Sequence, residues 1–307
     1  MLGWQVPSHY ERVAEDTAAQ RSTDATGGVR VLNGFGKELL IREALASVER
    51  DPSSEARVVD LAAGRGGDVG RFARTCTAAG RSLTYVGLDV SAHQIAAARK
   101  REASASWALP PGSRLAWGVT DCFAPAAVEV ARNLGPPEYD VVSCQMALHY
   151  AAQTEERMAA ALDNCAALCA PGGTLAVTTT DWERIIRYAT AEDGDEAAPQ
   201  SELCSVSLEL PWPDQGAFGC GYRFALGSRV DDGEFLIRGV EVRAMLEARG
   251  FRQLRWSNML DYLGQELAKP HVLTEWLAHG KQCTAADQEV VGLYVAALFV
   301  KEKDTMV

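Results

Sequence analysis

Residues 57–68 read Arg57-Val58-Val59-Asp60-Leu61-Ala62-Ala63-Gly64-Arg65-Gly66-Gly67-Asp68. A short apolar run ends in an acid and then in clustered glycines, the pattern of a buried strand that gives way to a tight loop. Glycine lets a backbone approach a ligand where a Cβ would clash. Further on, Leu83 to Leu88 reads as a second strand ending at Asp89. A glycine loop after strand one and a carboxylate after strand two make the general nucleotide-binding plan. In that plan the carboxylate accepts from both ribose hydroxyls, and Asp89 has the right spacing from Gly64.

Outward from this unit the alternation continues. Ser91 is an N-cap for a helix through Lys100. Arg114 to Val119 reads as a third strand, followed by Thr120-Asp121, and Tyr139 to Cys144 as a fourth. A helix from about Glu155 to Leu168 leads through the turn Ala170-Pro171-Gly172-Gly173 into a fifth strand, Thr174 to Thr178. Alternating strands and helices predict an α/β fold with a doubly wound, mostly parallel sheet. Ligands then bind at the carboxyl ends of the strands. Residues 1–36 read as an N-terminal arm, partly helical, ending in Leu32-Asn33-Gly34-Phe35-Gly36. A helix is expected from Lys37 to Glu49, opening a main domain over 37–307. The alternation breaks after Tyr188, and an insertion is expected over about 189–238. Ala191 to Glu202 is polar and acidic and reads as a loop. Val206 to Leu210 and Tyr222 to Leu226 read as an inserted β-hairpin. A helix from Val240 to Arg249 ends at Gly250, a good C-cap. Phe251 to Trp256 and Leu293 to Val300 complete seven strands.

The chain has 307 residues, of which 30 are basic and 41 acidic, for a net charge of −11. Its hydrophobic content is 47%. That excludes a disordered chain, and also a protein that holds long nucleic acid mainly by charge. An RNA-handling chain of this charge must recognise something local, such as one nucleotide. No apolar run reaches the ~20 residues of a membrane span, and Met1 to His9 lacks a signal-peptide core. An intracellular, soluble chain is expected. Eight cysteines show no CxxC pair and no histidine at zinc spacing, so they are expected to be buried thiols, with no metal.

The strict GxGxxG of dinucleotide binders is absent. Acids end three consecutive strands instead, at Asp60, Asp89 and Asp121 or close by. An acid after strand three can accept from an adenine amino group. The set suits a cationic adenosine cofactor, S-adenosylmethionine, better than a pyrophosphate.

Five pieces, in order, resemble the eukaryotic mRNA cap guanine-N7 methyltransferases. The first is Ser8-His9-Tyr10-Glu11, and the second runs from Arg30 to Ile41, similar to the family's RNFNNWxK. Residues 58–68 match VLDLGCGKGGD, and 85–91 match YxGxDIS. The most specific is Tyr139-Asp140-Val141-Val142-Ser143-Cys144-Gln145-Met146-Ala147-Leu148-His149-Tyr150, close to FDVVSCQFALHY. Later, Phe218 to Phe224 and Asp232-Gly233-Glu234-Phe235 are similar to FGxxYxFxL and to the family's EY. The resemblance covers His9 to about Tyr262. It implies a class I S-adenosylmethionine-dependent methyltransferase acting on N7 of the cap guanosine of GpppN-RNA. It also implies that Lys37, Gly64, Asp68, Asp89, Asp121 and Gln145 contact S-adenosylmethionine. Asn33, His149, Tyr150 and Glu234 would line the guanosine pocket, with Tyr262 closing it, and Glu234, Tyr150 and His149 would serve catalysis. Ala62, Ala63 and Arg65 depart from the family's Gly, Cys and Lys. Met146 replaces an aromatic, Thr180 a proline and Gly34 an asparagine.

Guanine N7 carries a free lone pair and no proton, so methylation needs no general base. Proximity and orientation can then supply roughly 7–11 kcal/mol. Glu234 is expected to accept from the guanine N1–H and amine, more strongly as charge develops on the ring. The competing expectations are a small-molecule methyltransferase on the same sheet and a non-catalytic methyltransferase-like capping subunit. Capping implies a nuclear location, with a cytoplasmic factory as the alternative. A monomer is expected, with capped RNA as substrate and a guanylyltransferase or activating subunit as a candidate partner.

Overall fold

The computed structural model describes residues 25–49, 54–191, 201–209, 216–227, 230–280 and 282–303. The Ser8-His9-Tyr10-Glu11 motif and most of the acidic loop at 191–202 lie outside them.

The first five strands of the main sheet are β1 (Ala56–Leu61), β2 (Leu83–Asp89), β3 (Arg114–Val119), β4 (Tyr139–Gln145) and β5 (Cys169–Thr180). They are joined by α2 (Val69–Ala78), α3 (Ala92–Ala103), α4 (Ala126–Leu134), a 3-10 helix (Leu148–Gln153) and α5 (Glu155–Leu168). The sheet order is β3-β2-β1-β4-β5-β10-β9, where β9 is Phe251–Asn258 and β10 is Tyr294–Lys301. Only β10 runs against its neighbours. Strand order reverses between β1 and β4, so a crevice opens beyond their carboxyl ends. The doubly wound, seven-stranded fold expected from the sequence is present.

Local chemistry explains these elements. The helix α2 buries Val69, Phe72, Ala73 and Cys76, one stripe at helical spacing. Ser91 and Thr154 cap α3 and α5 by accepting backbone N–H bonds from Gln94 and Arg157. β4 is buried along its whole length, as befits a central parallel strand. Apolar side chains from the helices close both faces of the sheet.

Two expectations need correction. The helix expected to open at Lys37 opens at Gly27, and α1 spans Gly27–Ala46. The glycine-rich stretch before Lys37 is therefore helix. Its glycine at 36 serves close packing: a Cβ there would lie 2.5 Å from the Met259 sulfur. The start of α1 is fixed from far away, because Asp287 Oδ1 accepts the Val29 N–H at 3.0 Å. The second concerns the extent of the expected inserted hairpin, which is present and carries a third strand. It is a three-stranded antiparallel sheet of β6 (Cys204–Leu208), β7 (Gly221–Leu226) and β8 (Val230–Phe235). Glu234 therefore sits on a strand rather than in a loop, opposite Tyr222 in the ladder.

Before and after that insertion lie α6 (Trp182–Ala189) and α7 (Gly239–Glu247). After β9 come α8 (Met259–Leu267), α9 (Pro270–Ala278) and α10 (Ala285–Val291). Among the described residues, no helix is long and apolar enough to cross a membrane, and no group of three or more His, Cys, Asp or Glu could hold a metal ion. All eight cysteines are free thiols; six are buried, and Cys204 and Cys283 partly so.

Candidate active site

A cavity of about 860 Å³ opens at the carboxyl ends of β1 to β4. Lys37, Gly64, Asp68, Asp89, Asp121 and Gln145 all line it, so the fold brings together the whole expected cofactor set. Gly64 sits at φ +53, and a Cβ there would meet no atom within 4 Å: it would stand in the cavity itself. Ala62, where the family resemblance expects glycine, is held at φ +61. L-residues avoid that region, because the Cβ crowds the following carbonyl.

Each acid is held differently. Asp89 accepts from the N–H of Gly64 at 2.8 Å and of Ser91 at 2.9 Å. Burial nevertheless raises its pKa. Asp68 is paired with Lys37 at 2.9 Å and Arg71 at 2.7 Å. Burial alone would raise the Asp68 carboxyl, but the two cations outweigh it and hold the group below the usual carboxylate range. Asp121 accepts from the Phe123 N–H at 3.0 Å and from both terminal nitrogens of Arg157. Asp60, at the end of β1, is fully buried, and its Oδ2 accepts from the Tyr85 hydroxyl at 2.5 Å. Burial and the nearby Asp68 push Asp60 up to about 7.

Gln145 lines the cavity, but its amide is committed elsewhere. Nε2 donates to Ser143 Oγ at 3.3 Å and the Ala176 carbonyl at 3.1 Å, and Oε1 accepts from Thr178 at 3.0 Å. The side chain braces β4 against β5, and its amide donors are taken.

Behind the cavity wall lies a buried polar cluster. Tyr150 lines the cavity, and its ring centroid is 4.3 Å from that of His149. The Nε2 atom of His149 is 3.6 Å from Glu234 Oε1. Glu234 Oε2 accepts a short bond from the Tyr222 hydroxyl. Burial lowers the pKa of His149, against the pull of Glu234 and Asp232, so the imidazole is neutral at pH 7. Burial, then Glu234, keep the Tyr222 phenol protonated. Among the described residues, neither ring nitrogen of His149 has a hydrogen-bond partner, and neither has Asn33 Oδ1. Buried polar atoms of this kind are rare in folded proteins. Asn33 lies one turn before Lys37 on the same face of α1.

Tyr262 is not in this cluster. It is fully buried on α8, where its hydroxyl lies 3.3 Å from Glu43 and its ring centroid 4.5 Å from the Arg255 guanidinium. It fastens α8 to α1. A further tyrosine, Tyr294, is the first residue of β10. Antiparallel pairing puts it opposite Thr180, at the carboxyl end of β5. It lies close enough to Tyr222 to add to the upward push on that phenol. The usable signal was the antiparallel direction of the last strand, which returns its first residue to the functional edge. Tyr222 and Arg157 were also missed, and their roles depend on contacts that no local pattern encodes.

The sheet order and cavity define a class I S-adenosylmethionine-dependent methyltransferase. The fold is similar to that of an S-adenosylmethionine-dependent methyltransferase from Clostridium acetobutylicum, at a TM-score of 0.51 and 11% identity over 87% of this chain and 92% of that one. It is also similar to the CcbJ methyltransferase from Streptomyces caelestis, at a TM-score of 0.50 and 13% identity over 98% of both chains. The family model of the mRNA (guanine-N(7))-methyltransferase domain matches residues 3–302, and the chain belongs to that family. Among its relatives, mRNA cap guanine-N(7) methyltransferase 1 of Arabidopsis thaliana is 26% identical, over 87% of this chain and 70% of its own length. The Caenorhabditis elegans mRNA cap guanine-N(7) methyltransferase is 26% identical, over 92% of this chain and 70% of its own.

Proposed function

We infer that this chain transfers a methyl group from S-adenosylmethionine to N7 of the cap guanosine of GpppN-RNA. When bound, the donor supplies an electrophilic methyl on a sulfonium. The residues present fit it: a glycine-lined cavity, Asp89 for the ribose, and the Lys37–Asp68 pair for the amino-acid end.

The observation that carries the reading is the junction at Tyr150. This side chain lines the donor cavity and packs on His149, which faces Glu234. A guanine in the cluster would thus lie one side chain away from the methyl donor. Glu234 is suited to accept from the guanine N1–H and amine, while the Tyr222 hydroxyl fixes its other oxygen. As positive charge develops on the ring, those donors strengthen and Glu234 holds the transition state more tightly than the ground state. Neutral His149 can donate or accept without adding a positive charge that would oppose that change. No residue need remove a proton, and the protein's work is orientation. Adenine offers no matching pair of donors, so Glu234 also selects guanine.

A nuclear location follows from this chemistry, and a guanylyltransferase or activating subunit is the partner class to test. The deciding experiment is transfer from labelled S-adenosylmethionine to GpppA, with GTP and uncapped RNA as controls. Product at N7 of the capped guanosine is expected. Donor binding without transfer to any capped acceptor would reject the reading.

A further inference from the structure

At the adenine end of the cavity, Arg157 closes over Asp121. Arg157 is the third residue of α5, with its backbone N–H tied to Thr154 at 3.1 Å. Its Nη1 donates to Asp121 Oδ2 at 2.8 Å and its Nη2 to Oδ1 at 3.1 Å. The guanidinium carbon lies 5.6 Å from the centroid of the Phe123 ring. Asp121, Phe123 and Arg157 all line the cavity. A half-exposed ion pair by itself contributes little to stability. This one does something more specific, because it decides how many acceptor positions Asp121 has left.

A carboxylate offers about four lone-pair sites. Arg157 takes one on each oxygen, and the Phe123 N–H takes a second on Oδ1. The free site is on Oδ2. The planar guanidinium fork also fixes the rotation of the carboxylate, which a flexible ammonium would not. We propose that Arg157 is a specificity-determining positioning residue: it leaves Asp121 a single, oriented acceptor that takes the 6-amino group of an adenine and rejects a purine with a carbonyl there. The proposal rests on the reading that S-adenosylmethionine occupies this cavity with its base at Asp121.

The test compares two ligands by calorimetry, S-adenosylhomocysteine and the same thioether with hypoxanthine in place of adenine. The proteins are the full chain, Arg157→Ala, Arg157→Lys and Asp121→Asn. The unsubstituted protein should prefer the adenine ligand by roughly 10- to 100-fold, the cost of facing a carbonyl with an acceptor. Arg157→Ala should bind the adenine ligand about tenfold more weakly and the hypoxanthine ligand about equally, so that the preference collapses. Arg157→Lys keeps the charge without the fork and should fall between. Parallel loss of both ligands in Arg157→Ala, or an unchanged preference, would overturn the proposal. If Asp121→Asn alone loses the preference, Asp121 reads the base and Arg157 does not position it. If no variant alters the preference, the placement of the base at Asp121 fails as well.

Discussion

The glycine-lined cavity and the buried polar cluster share one wall, Tyr150, yet they are built in opposite ways. In the cavity, Asp89, Asp68 and Asp121 each have two or more partners: backbone N–H groups for Asp89, cations for Asp68, and one of each kind for Asp121. Their geometry is set before any ligand arrives. In the cluster, His149 is buried with neither ring nitrogen hydrogen-bonded among the described residues. A buried polar group without a partner costs about 1–3 kcal/mol. A ligand that supplies the missing partners recovers that cost. The first region is preorganised, and the second would gain most from a ligand that partners those atoms. Loss of a residue from one should therefore spare the other.

The sharpest way to break this division is Glu234→Ala. Turnover on a capped dinucleotide should fall by roughly 100- to 1,000-fold, the usual cost of one transition-state hydrogen-bonding group. The S-adenosylmethionine Kd should move less than about threefold. A matching loss of donor affinity would mean that the two regions are one site. Asp89→Ala should behave in the opposite sense. Losing a charged acceptor for two hydroxyls should weaken donor binding by about 100-fold, at 1.5–3 kcal/mol for a bond to a charged group. Cap-analogue binding to the donor-free protein should stay the same, and a shared loss would refute the division.

A third test uses acid. Burial holds His149 below its ordinary pKa. The unfolded chain therefore takes up a proton there before the folded one does. Stability from this group is full above the unfolded value near 6.5 and is lost as pH falls below it. Chemical denaturation from pH 7.5 to pH 5 should show the loss, and His149→Gln should reduce its slope. An identical slope in that variant would place the sensitivity elsewhere. The smallest effect belongs to the cavity. Ala62→Gly removes a side chain from φ +61. Relief of about 1–2 kcal/mol, less about 0.4–1 for the freer unfolded chain, leaves a net gain between roughly 0 and 1.6 kcal/mol. The thermal midpoint should rise slightly; a fall would show that the Ala62 methyl packs better than its backbone suggests.

Much of the cavity was legible along the chain. Gly64 follows β1 and Asp89 ends β2, and parallel pairing of the two strands brings those ends together. Lys37 and Asp68 were placed by the family resemblance, and the structure brings them together at 2.9 Å. The cluster was legible in its residue types but not in its arrangement. Glu234 was placed by the family resemblance alone, because its partner strand, β7, fixes its direction only through the ladder. Tyr262 looked like a pocket residue because it lies at the end of the resembling region, whereas packing turned it toward Glu43.

Sequence alone determined the alternation of strands and helices, the glycine loop, the acids at strand ends and the family. All of these depend on neighbours within a few residues, where periodicity, backbone freedom and capping act. Tertiary structure decided which side chains meet across the chain. Asp287 starts α1 from 258 residues away, Arg157 grips Asp121 from 36 residues away, and Tyr294 stands opposite Thr180 because β10 runs antiparallel to β5. Such contacts depend on how whole elements pack, and local spacing carries no record of that packing.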